Sequence, residues 1–257
     1  MEILCVVARG DDQNFNTFLG PSLNKFKLKC VQVGDKPDEM GNIGKKSTNE
    51  KYIIGCDVLK QQNLLNDDTV VVFIHEDSNI IDNLFVEKIN FLFSERSDIG
   101  VVGAVGVESI SNDTFWMSPE NRPLGHMVLG GDGKSIGKGD YRKFGPIGMF
   151  DKVVAIDNSI IIVRGSLIRD GLTFDGDTLK SDSNMYGMDI SIQALQKGFK
   201  VAVADILTFH NSKRNLTMND EWVASKMLFN EKYKDLTFPI TVDSFEFDES
   251  EVVDVEI

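Results

Sequence analysis

Short apolar segments rich in β-branched residues recur along this chain and constrain its fold more than any other feature. Gly, Asp or Asn bounds these segments, and runs this short are typical of strands buried on both faces of a sheet. Six such segments occur: Ile3–Ala8, Lys27–Val33, Thr69–Ile74, Ile99–Val107, Val153–Val163 and Phe199–Leu207. The sequence therefore predicts a sheet that other elements cover on both sides.

Segments with helical periodicity alternate with the predicted strands. Apolar residues recur at three- and four-residue steps in Lys51–Leu65 and Asn83–Phe93. The same spacing occurs in Asn184–Lys197, which Gly198 follows, and glycine is the residue favoured just past a helix end. A last helix is predicted over Asp220–Tyr233. This alternation predicts an α/β fold with a Rossmann-like, mostly parallel sheet and helices on both faces.

Composition divides the chain into a domain and a tail. We assign residues 1–238 to one α/β domain and residues 239–257 to an acidic C-terminal tail, because seven acids and no Lys or Arg occur from Asp243 onward. Eight glycines and three prolines interrupt any periodicity between residues 118 and 150. A stretch of this length without periodicity predicts a flexible loop within the domain.

The balance of charge excludes several classes of function. The 257 residues carry a net charge of −13, and without the acidic tail the rest carries −6. An acidic protein repels phosphate backbones and anionic membranes, so we expect no nucleic-acid partner and no membrane partner. The first residues lack a signal-peptide pattern, and no apolar run is long enough to span a membrane. With an odd number of cysteines, three, the sequence predicts a cytoplasmic protein with reduced thiols.

Polar side chains follow the apolar strands at their carboxyl ends, which is where open α/β sheets bind ligands. His75 and His210, two of only three histidines, each end a predicted strand, and Asp77 follows His75 closely. Imidazole nitrogens and a carboxylate oxygen suit a divalent transition metal such as Mn²⁺, with positions left open for a substrate. The alternative is that both histidines only form hydrogen bonds to loop carbonyls.

Six segments between residues 70 and 214 carry a resemblance to known proteins. They are Val70–Asp77, Val101–Gly106, Ala155–Arg164, Leu172–Asp175, Tyr186–Val201 and Phe209–Ser212. In order and spacing, they resemble the motifs of a family 2-like glycosyltransferase group related to streptomycin-biosynthesis-type transferases. The resemblance implies a GT-A fold that binds a nucleotide-diphosphate sugar, with a UDP-type donor favoured. It also implies a divalent metal, for which Mn²⁺ is favoured and Mg²⁺ is the alternative.

The resemblance assigns the metal ligands residue by residue. Asp77 falls where these enzymes keep the last acid of the metal-binding DxD motif, and His75 replaces the first acid of that motif. His210 matches a strand-end histidine that often completes the coordination. A bound metal would neutralise the diphosphate that forms when the sugar–phosphate bond breaks.

The catalytic base is the point at which this chain departs from the family pattern. Family 2-like enzymes place an aspartate near the start of this helix, to deprotonate the acceptor hydroxyl so that displacement inverts the anomeric centre. Gly187 stands at that position, so Asp189 is the first candidate for the base and Asp157 is the second. The helix macrodipole alone also favours an acid in the first turn, which gives Asp189 a purely structural interpretation.

The donor is expected to contact residues that follow the first strands and His210. The Asp35 carboxylate is a candidate to accept a hydrogen bond from a uracil-type imide, and the cations after His210 either face the diphosphate or are only solvated. The predicted donor-binding residues are Ala8, Arg9, Asp35, Glu76, Lys213 and Arg214. Trp116 and Tyr141 are candidates to stack on an acceptor sugar.

We therefore predict a glycosyltransferase that moves a sugar from a nucleotide-diphosphate donor to a glycan or other hydroxyl acceptor. A non-catalytic nucleotide-sugar or glycan-binding protein on the same fold is the alternative, because Gly187 and Met188 stand where acids are often found. A nucleotidyltransferase is disfavoured, since the segment Arg9–Asp12 is too acidic for a phosphate-binding loop after the first strand.

Overall fold

The structure is a computed structural model that describes residues 1–35, 46–113, 117–130, 139–179, 185–211 and 220–247. Fifteen strands lie in these ranges: β1 (Glu2–Ala8), β2 (Lys29–Val33), β3 (Thr69–His75), β4 (Ser78–Ile80), β5 (Ile99–Gly103), β6 (Val105–Val107), β7 (Ser109–Ile110), β8 (Pro123–Gly130), β9 (Gly139–Lys143), β10 (Phe150–Val153), β11 (Ala155–Ile156), β12 (Ile160–Arg164), β13 (Lys200–Val203), β14 (Thr208–His210) and β15 (Ile240–Thr241).

Seven α-helices accompany the strands in the described ranges: α1 (Asp12–Asn14), α2 (Gly20–Phe26), α3 (Thr48–Gln61), α4 (Phe85–Glu95), α5 (Gly165–Arg169), α6 (Tyr186–Gln196) and α7 (Asp220–Lys232). A π-helical turn, Phe15–Leu19, joins α1 to α2, and short 3₁₀ turns occur at Pro119–Asn121 and Val242–Ser244. The four longest helices lie where the sequence predicts them, with ends shifted by a few residues. Gly198 follows α6 with a φ of +81°, as expected of a glycine past a helix end.

A seven-stranded sheet with the order β10-β13-β5-β12-β3-β1-β2 forms the centre of the molecule. Strands β2, β1 and β3 run parallel to one another, as do β5 and β13. Strand β12 is antiparallel to β3 and β5, and β10 is antiparallel to β13. The prediction of a mostly parallel sheet is confirmed. Because β1, β2 and β3 run in one direction, the residues that leave their carboxyl ends meet at one edge of the sheet.

The two faces of this sheet bury two separate apolar clusters, which explains why its strands read as continuous apolar runs. Along β1, Leu4 and Val6 belong to one cluster, and Ile3, Cys5 and Val7 belong to the other. Helices α3 and α6 cover the first face, and α2 and α4 cover the second. Each buried aliphatic side chain contributes about 1.5–3 kcal/mol, so both faces require a layer of helices.

A second sheet has the order β11-β6-β8-β14-β4, with β9 paired to β8, and it contains two segments of the glycine-rich stretch. The sequence predicts a loop over residues 118–150, but β8 and β9 form an antiparallel pair there. Residues 131–138 lie outside the described ranges. The glycines allow close packing, since a Cβ at Gly139 would lie 2.3 Å from Val128 Cγ1, and one at Gly145 would lie 1.8 Å from the Pro123 carbonyl oxygen.

The described part of the predicted tail is attached to the domain. Ile240 and Thr241 form β15, which pairs with β7, and Phe245 and Phe247 pack against the core. Apolar residues between the acids therefore anchor the chain as far as residue 247, which the excess of acidic residues does not suggest. Residues 248–257 lie outside the described ranges.

Two further expectations concern the thiols and the apolar helices. The three cysteines, Cys5, Cys30 and Cys56, are free in the structure, as the sequence predicts. Among the helices of the described ranges, none combines the length and the apolar character needed to cross a bilayer.

Candidate functional site

His75, Asp77 and His210 come together because two short strands pair directly after the end of β3. His75 is the last residue of β3, Asp77 lies in the turn that follows, and β4 begins at Ser78. Strand β14 pairs antiparallel with β4 so that His210 lies opposite Ser78, and the amide of Asn211 donates a hydrogen bond of 2.9 Å to the Asp77 carbonyl oxygen. The structure thus brings together the three side chains that the sequence predicts to converge.

These three side chains form a group of donor atoms with the dimensions of a cation site. Asp77 Oδ1 lies 3.6 Å from His210 Nε2 and 3.9 Å from His75 Nδ1. One donor atom from each residue lies within 4.8 Å of the others. Ligand atoms about 2.1 Å from one ion lie about 3–4 Å from each other, so small side-chain movements would complete the set. The three side chains are 21–26% exposed, which leaves them open to a substrate.

The chemistry of the group fits a divalent transition metal. Within the described residues, the Asp77 carboxylate receives no hydrogen bond, and the side chains with nitrogen atoms within 4.0 Å of it are the two imidazoles. A largely buried carboxylate without a hydrogen-bond donor is stabilised by a cation. Two imidazole nitrogens and one carboxylate oxygen suit a transition metal and leave other coordination positions open.

Tyr186, for which the sequence predicts no role, contacts this group from the start of α6. Its hydroxyl is hydrogen-bonded to His75 Nε2 and donates to the Asn158 carbonyl oxygen at 3.3 Å. The His75 ring lies between Tyr186, with ring centroids 5.9 Å apart, and His210, at 5.5 Å. Tyr186 belongs to one of the segments that carry the family resemblance, but its contact with His75 joins residues 111 positions apart.

Gly187, where the family resemblance implies a catalytic base, has no room for a side chain. The Gly187 amide donates a hydrogen bond of 2.6 Å to Asn158 Oδ1. A Cβ at Gly187 would lie 2.6 Å from the Ile156 carbonyl oxygen and 2.8 Å from Asn158 Oδ1. An aspartate at this position would require the backbone to move. The packing around residue 187 therefore explains why glycine stands there in place of the aspartate.

Asp189 is buried in a network on another side of α6. Its Oδ1 lies 2.6 Å from both Lys232 Nζ and the Tyr233 hydroxyl, and its Oδ2 accepts a hydrogen bond of 2.7 Å from Gln193. Lys232 also binds Asp175 at 2.8 Å. Burial disfavours the charged amine, but the carboxylates of Asp189 and Asp175 raise the pKa of Lys232 above its ordinary value.

This network contradicts the prediction that Asp189 is the catalytic base. Asp189 is 0% exposed, and both of its oxygens are engaged, so an acceptor hydroxyl cannot reach it. Two residues along a helix turn a side chain by about 200°, which directs Asp189 toward α7 when Gly187 faces Asn158. The macrodipole interpretation is therefore closer to the structure, with α7 supplying the cation.

Asp157, the second candidate, lies beside Gly187. It follows β11, where its amide donates to the Val105 carbonyl oxygen at 2.9 Å, and it is half-buried. Asp157 Oδ2 accepts a hydrogen bond of 2.8 Å from the Ser159 amide. Its backbone carbonyl carbon lies 3.1 Å from the place that a Cβ at Gly187 would take. Among the described residues, Oδ1 has no hydrogen-bond partner, so this oxygen is available to a ligand.

Ala8 and Glu76 lie at the carboxyl ends of β1 and β3. Ala8 is the register partner of His75, which places it next to the candidate metal centre. Glu76 Oε2 accepts hydrogen bonds from the amides of Gly10, at 2.5 Å, and Asp11, at 2.9 Å. Burial raises the pKa of Glu76, and the two amides act in the opposite direction. Glu76 thus holds the loop after β1, and its contact with a donor stays a prediction.

Arg9 and Asp35 are linked through Lys51. Lys51 Nζ donates to the Arg9 carbonyl oxygen at 2.8 Å and to Asp35 Oδ2 at 3.1 Å, while the Lys46 amide donates to Asp35 Oδ1 at 2.9 Å. Burial opposes the charge of Asp35, but these hydrogen bonds lower its pKa. The Arg9 guanidinium lies 4.4 Å from the centroid of the Phe15 ring. A carboxylate has about four lone-pair sites, so Asp35 keeps acceptor capacity for a nucleobase, and its role stays a prediction.

Tyr141 does not lie on the same side of its sheet as the candidate metal centre. It pairs with Val128, which in turn pairs with Phe209, so these side chains share one face and His210 lies on the other. The Tyr141 hydroxyl is hydrogen-bonded to His126 Nδ1 at 3.1 Å. The predicted stacking of Tyr141 on an acceptor therefore does not fit this sheet. Three other predicted contact residues lie outside the described ranges: Trp116, Lys213 and Arg214.

Comparison with solved structures supports the fold. A crystal structure of GalNAc-T7 with UDP, GalNAc and Mn²⁺ aligns with a TM-score of 0.53 and 10% identity, covering 92% of this chain and 49% of that chain. This chain thus spans about half the length of that protein. The mannosyltransferase PcManGT from Pyrobaculum calidifontis, in complex with GDP-Man and Mn²⁺, aligns with a TM-score of 0.48 and 8% identity over 84% of this chain and 58% of that chain. The GT-A fold expected from the sequence is confirmed by the first of these similarities.

Sequence comparison supports the family. Comparison with curated proteins gave no match. Residues 60–241 match the model of a glycosyltransferase-like family, and this range contains the three residues of the candidate metal centre. Since the match covers well over half of the sequence, the chain belongs to the glycosyltransferase-like family of enzymes.

Proposed function

We propose that this protein is a metal-dependent glycosyltransferase that moves a sugar from a UDP-type nucleotide sugar to a hydroxyl acceptor, with inversion at the anomeric carbon. The observation that carries the proposal is the convergence of His75, Asp77 and His210 within the residues that match the family. The similar GalNAc-T7 structure contains UDP and Mn²⁺, which agrees with this choice of donor and metal. Mg²⁺ is the alternative metal.

Three atoms would hold the cation: His75 Nδ1, Asp77 Oδ1 and His210 Nε2. A divalent cation bound there would supply positive charge to the diphosphate as its bond to the sugar breaks. This charge matters in a chain whose net charge is −13, because the field of the protein repels a diphosphate. Lys213 and Arg214, close to His210 in the sequence, are proposed to add to it.

Asp157 is the proposed catalytic base. The Ser159 amide orients the carboxylate through Oδ2, so that Oδ1 would accept the proton of the acceptor hydroxyl as this hydroxyl attacks the sugar. The acceptor would be a glycan or another hydroxyl compound. Ala8, Arg9 and Asp35 are proposed to contact the nucleotide through the loops after β1 and β2.

Binding is the first test of this proposal. We expect UDP together with Mn²⁺ to raise the unfolding free energy, by about 2.7 kcal/mol at 100 times the dissociation constant, as measured by thermal shift and calorimetry. Asp77→Asn should abolish this stabilisation, whereas Asp67→Asn, at an exposed position before β3 and thus at the opposite end of that strand from His75, should retain it. The proposal fails if no nucleoside diphosphate binds the wild-type protein with either Mn²⁺ or Mg²⁺.

A nucleotide-sugar-binding protein without transfer activity is the second candidate, and the lack of room for a carboxylate at Gly187 favours it. The assay that separates the two follows UDP release from UDP-sugars across a panel of glycan acceptors. A positioned base contributes about 10²–10⁴-fold to rate, so Asp157→Asn should lower transfer by that factor, while Asp170→Asn should not. Tight donor binding without acceptor-dependent release would favour the binding protein.

A further inference from the structure

The hydroxyl of Tyr186 holds the imidazole of His75 from behind the candidate metal centre. Tyr186 is only 3% exposed and is the first residue of α6. Its hydroxyl contacts His75 Nε2, and it donates to the carbonyl oxygen of Asn158 at 3.3 Å. The other ring nitrogen, Nδ1, is the one that lies 3.9 Å from Asp77 Oδ1. The two nitrogens of His75 therefore face different partners.

The hydrogen bonds of the Tyr186 hydroxyl indicate which ring nitrogen of His75 carries the proton. A tyrosine hydroxyl has one proton, and a backbone carbonyl oxygen can only accept. When Tyr186 donates to Asn158, its oxygen must accept from His75, so Nε2 carries the proton and Nδ1 keeps its lone pair. A metal ligand needs that lone pair, and the hydrogen bond of the second ring nitrogen selects the tautomer that provides it.

We propose that Tyr186 is a positioning residue that fixes the Nε2–H tautomer of His75 and directs its Nδ1 to the cation. This inference rests on the proposed function, because it concerns the same metal centre. It explains how an imidazole can replace the first acid of the DxD motif. A carboxylate presents lone pairs on both oxygens near neutral pH, whereas a neutral imidazole can ligate through Nδ1 only in the tautomer whose proton is on Nε2.

The same backbone approach accounts for the tyrosine contact and the missing base. Because Gly187 has no side chain, the first turn of α6 comes within hydrogen-bond distance of Asn158, at 2.6 Å. That approach brings the hydroxyl of Tyr186 to the Asn158 carbonyl oxygen and to His75. A larger residue at 187 would push both away. Gly187 thus lacks the carboxylate that the family resemblance implies, and its small size permits the contact between Tyr186 and His75.

The ring of Tyr186 is held independently of its hydroxyl, which makes a clean test possible. It packs against Tyr52, with ring centroids 5.9 Å apart, and against Phe174, at 6.3 Å. Tyr186→Phe therefore removes the hydrogen bonds and keeps the packing. Tyr52→Phe is the matched control, because Tyr52 is 0% exposed in the same cluster and its hydroxyl has no hydrogen-bond partner among the described residues.

Binding of Mn²⁺ alone, measured from the electron paramagnetic resonance signal of the free ion, is the first readout. Loss of a partner behind a metal-bound histidine lowers metal affinity by about 10–100-fold, so we expect this loss in Tyr186→Phe and none in Tyr52→Phe. The visible absorption of bound Co²⁺ should also change only in Tyr186→Phe. Wild-type affinity in Tyr186→Phe, with binding lost in Asp77→Asn, would overturn this inference and leave the proposed function standing. Absence of Mn²⁺ binding in the wild type would overturn both.

A measurement on the unmodified, metal-free protein covers the case in which Tyr186→Phe does not fold. Two-bond ¹H–¹⁵N correlation spectra distinguish the two neutral tautomers of histidine, and His75→Gln identifies the signals of His75. We expect the proton on Nε2 and an unprotonated Nδ1. A neutral ring with its proton on Nδ1 would overturn the inference.

Discussion

Two groups of charged side chains lie along helix α6, and they differ in what they leave unfilled. Near its first residue, His75 and His210 lie on either side of the Asp77 carboxylate, which receives no hydrogen bond from the described residues. One turn further, Asp189 and Lys232 bind each other at 2.6 Å, and neighbouring side chains complete their hydrogen bonds. An incomplete set of donors marks a place for a ligand, whereas a saturated and buried set holds elements together.

The largest loss of stability should come from disrupting the buried network around Asp189 and Lys232, which we call the saturated group. Lys232→Met leaves the fully buried Asp189 without its cation, and loss of one partner of a buried pair costs about 3–5 kcal/mol. Urea denaturation at neutral pH should show this loss, while Mn²⁺ affinity of the folded variant stays unchanged. Lys234→Met, which removes an exposed pair with Glu231, should leave the unfolding free energy nearly unchanged, because solvent screens such a pair. Equal stability of Lys232→Met and the wild type would contradict the comparison.

Substitution in the group of His75, Asp77 and His210, which we call the open group, should weaken metal binding and leave stability unchanged. Asp77→Asn removes a proposed ligand, so Mn²⁺ affinity should fall by more than about 100-fold, equal to about 2.8 kcal/mol of binding free energy. The unfolding free energy without metal should not fall, because the substitution removes a carboxylate that has no hydrogen-bond donor among the described residues. Isothermal titration calorimetry and urea denaturation measure the two quantities. A strongly destabilised variant with intact metal binding would show that Asp77 stabilises the fold and does not bind the metal.

Acid should weaken the saturated group at a defined pH. Burial disfavours the charge of Asp175, but hydrogen bonds from Lys232 and from the Thr178 and Asp177 amides lower its pKa to about 2. The charged form is thus favoured in the folded state, so its stabilisation is present above the unfolded pKa near 4 and is lost as the pH falls toward 2. The difference in unfolding free energy between the wild type and Asp175→Asn should shrink from about 2 kcal/mol at pH 6 to almost none at pH 2. If the difference in unfolding free energy stayed constant from pH 6 to pH 2, the charge of Asp175 would not stabilise the fold.

The smallest effect is expected where the two groups meet, at the start of α6. Gly187→Ala adds a Cβ that would lie 2.6 Å from the Ile156 carbonyl oxygen, and the gain in helix propensity offsets part of the resulting strain. We expect a net loss of about 1–2 kcal/mol in unfolding free energy, with weaker Mn²⁺ binding because Tyr186 moves. Gly34→Ala, whose nearest atoms lie 3.9 Å away, is the control. Unchanged metal affinity in Gly187→Ala would separate the helix start from the metal centre.

The elements that the sequence predicts well are those whose burial is expressed locally. Strands such as β3 read as continuous apolar runs because both faces of the central sheet are covered. Glycine misled the prediction for residues 118–150, because Gly139 and Gly145 make room for neighbouring backbone and side chains, and a sequence shows a packing glycine and a loop glycine alike.

The candidate site divides along the same line. His75 could be found because it ends an apolar strand of the central sheet, whose strand ends meet at one edge. His210 was found because it also ends a strand, but it reaches His75 through the antiparallel pairing of β14 with β4 in the second sheet. Asp189 was assigned to the wrong group because its partner Tyr233 is 44 positions away in the sequence. Tyr186 was missed for the same reason, since nothing near it in the chain indicates a contact with His75.

The order of apolar and polar residues was sufficient to define the fold class, the covered sheet and the strand ends that carry His75 and His210, because burial and strand boundaries follow from local patterns. The convergence of their side chains with Asp77 depended on the pairing of β14 with β4. Which acid is open to a ligand and which is neutralised depended on contacts between distant segments. Such contacts arise when α6, α7 and the turn after β11 pack together, and a charged side chain acquires its role from the partners that packing brings within about 3 Å.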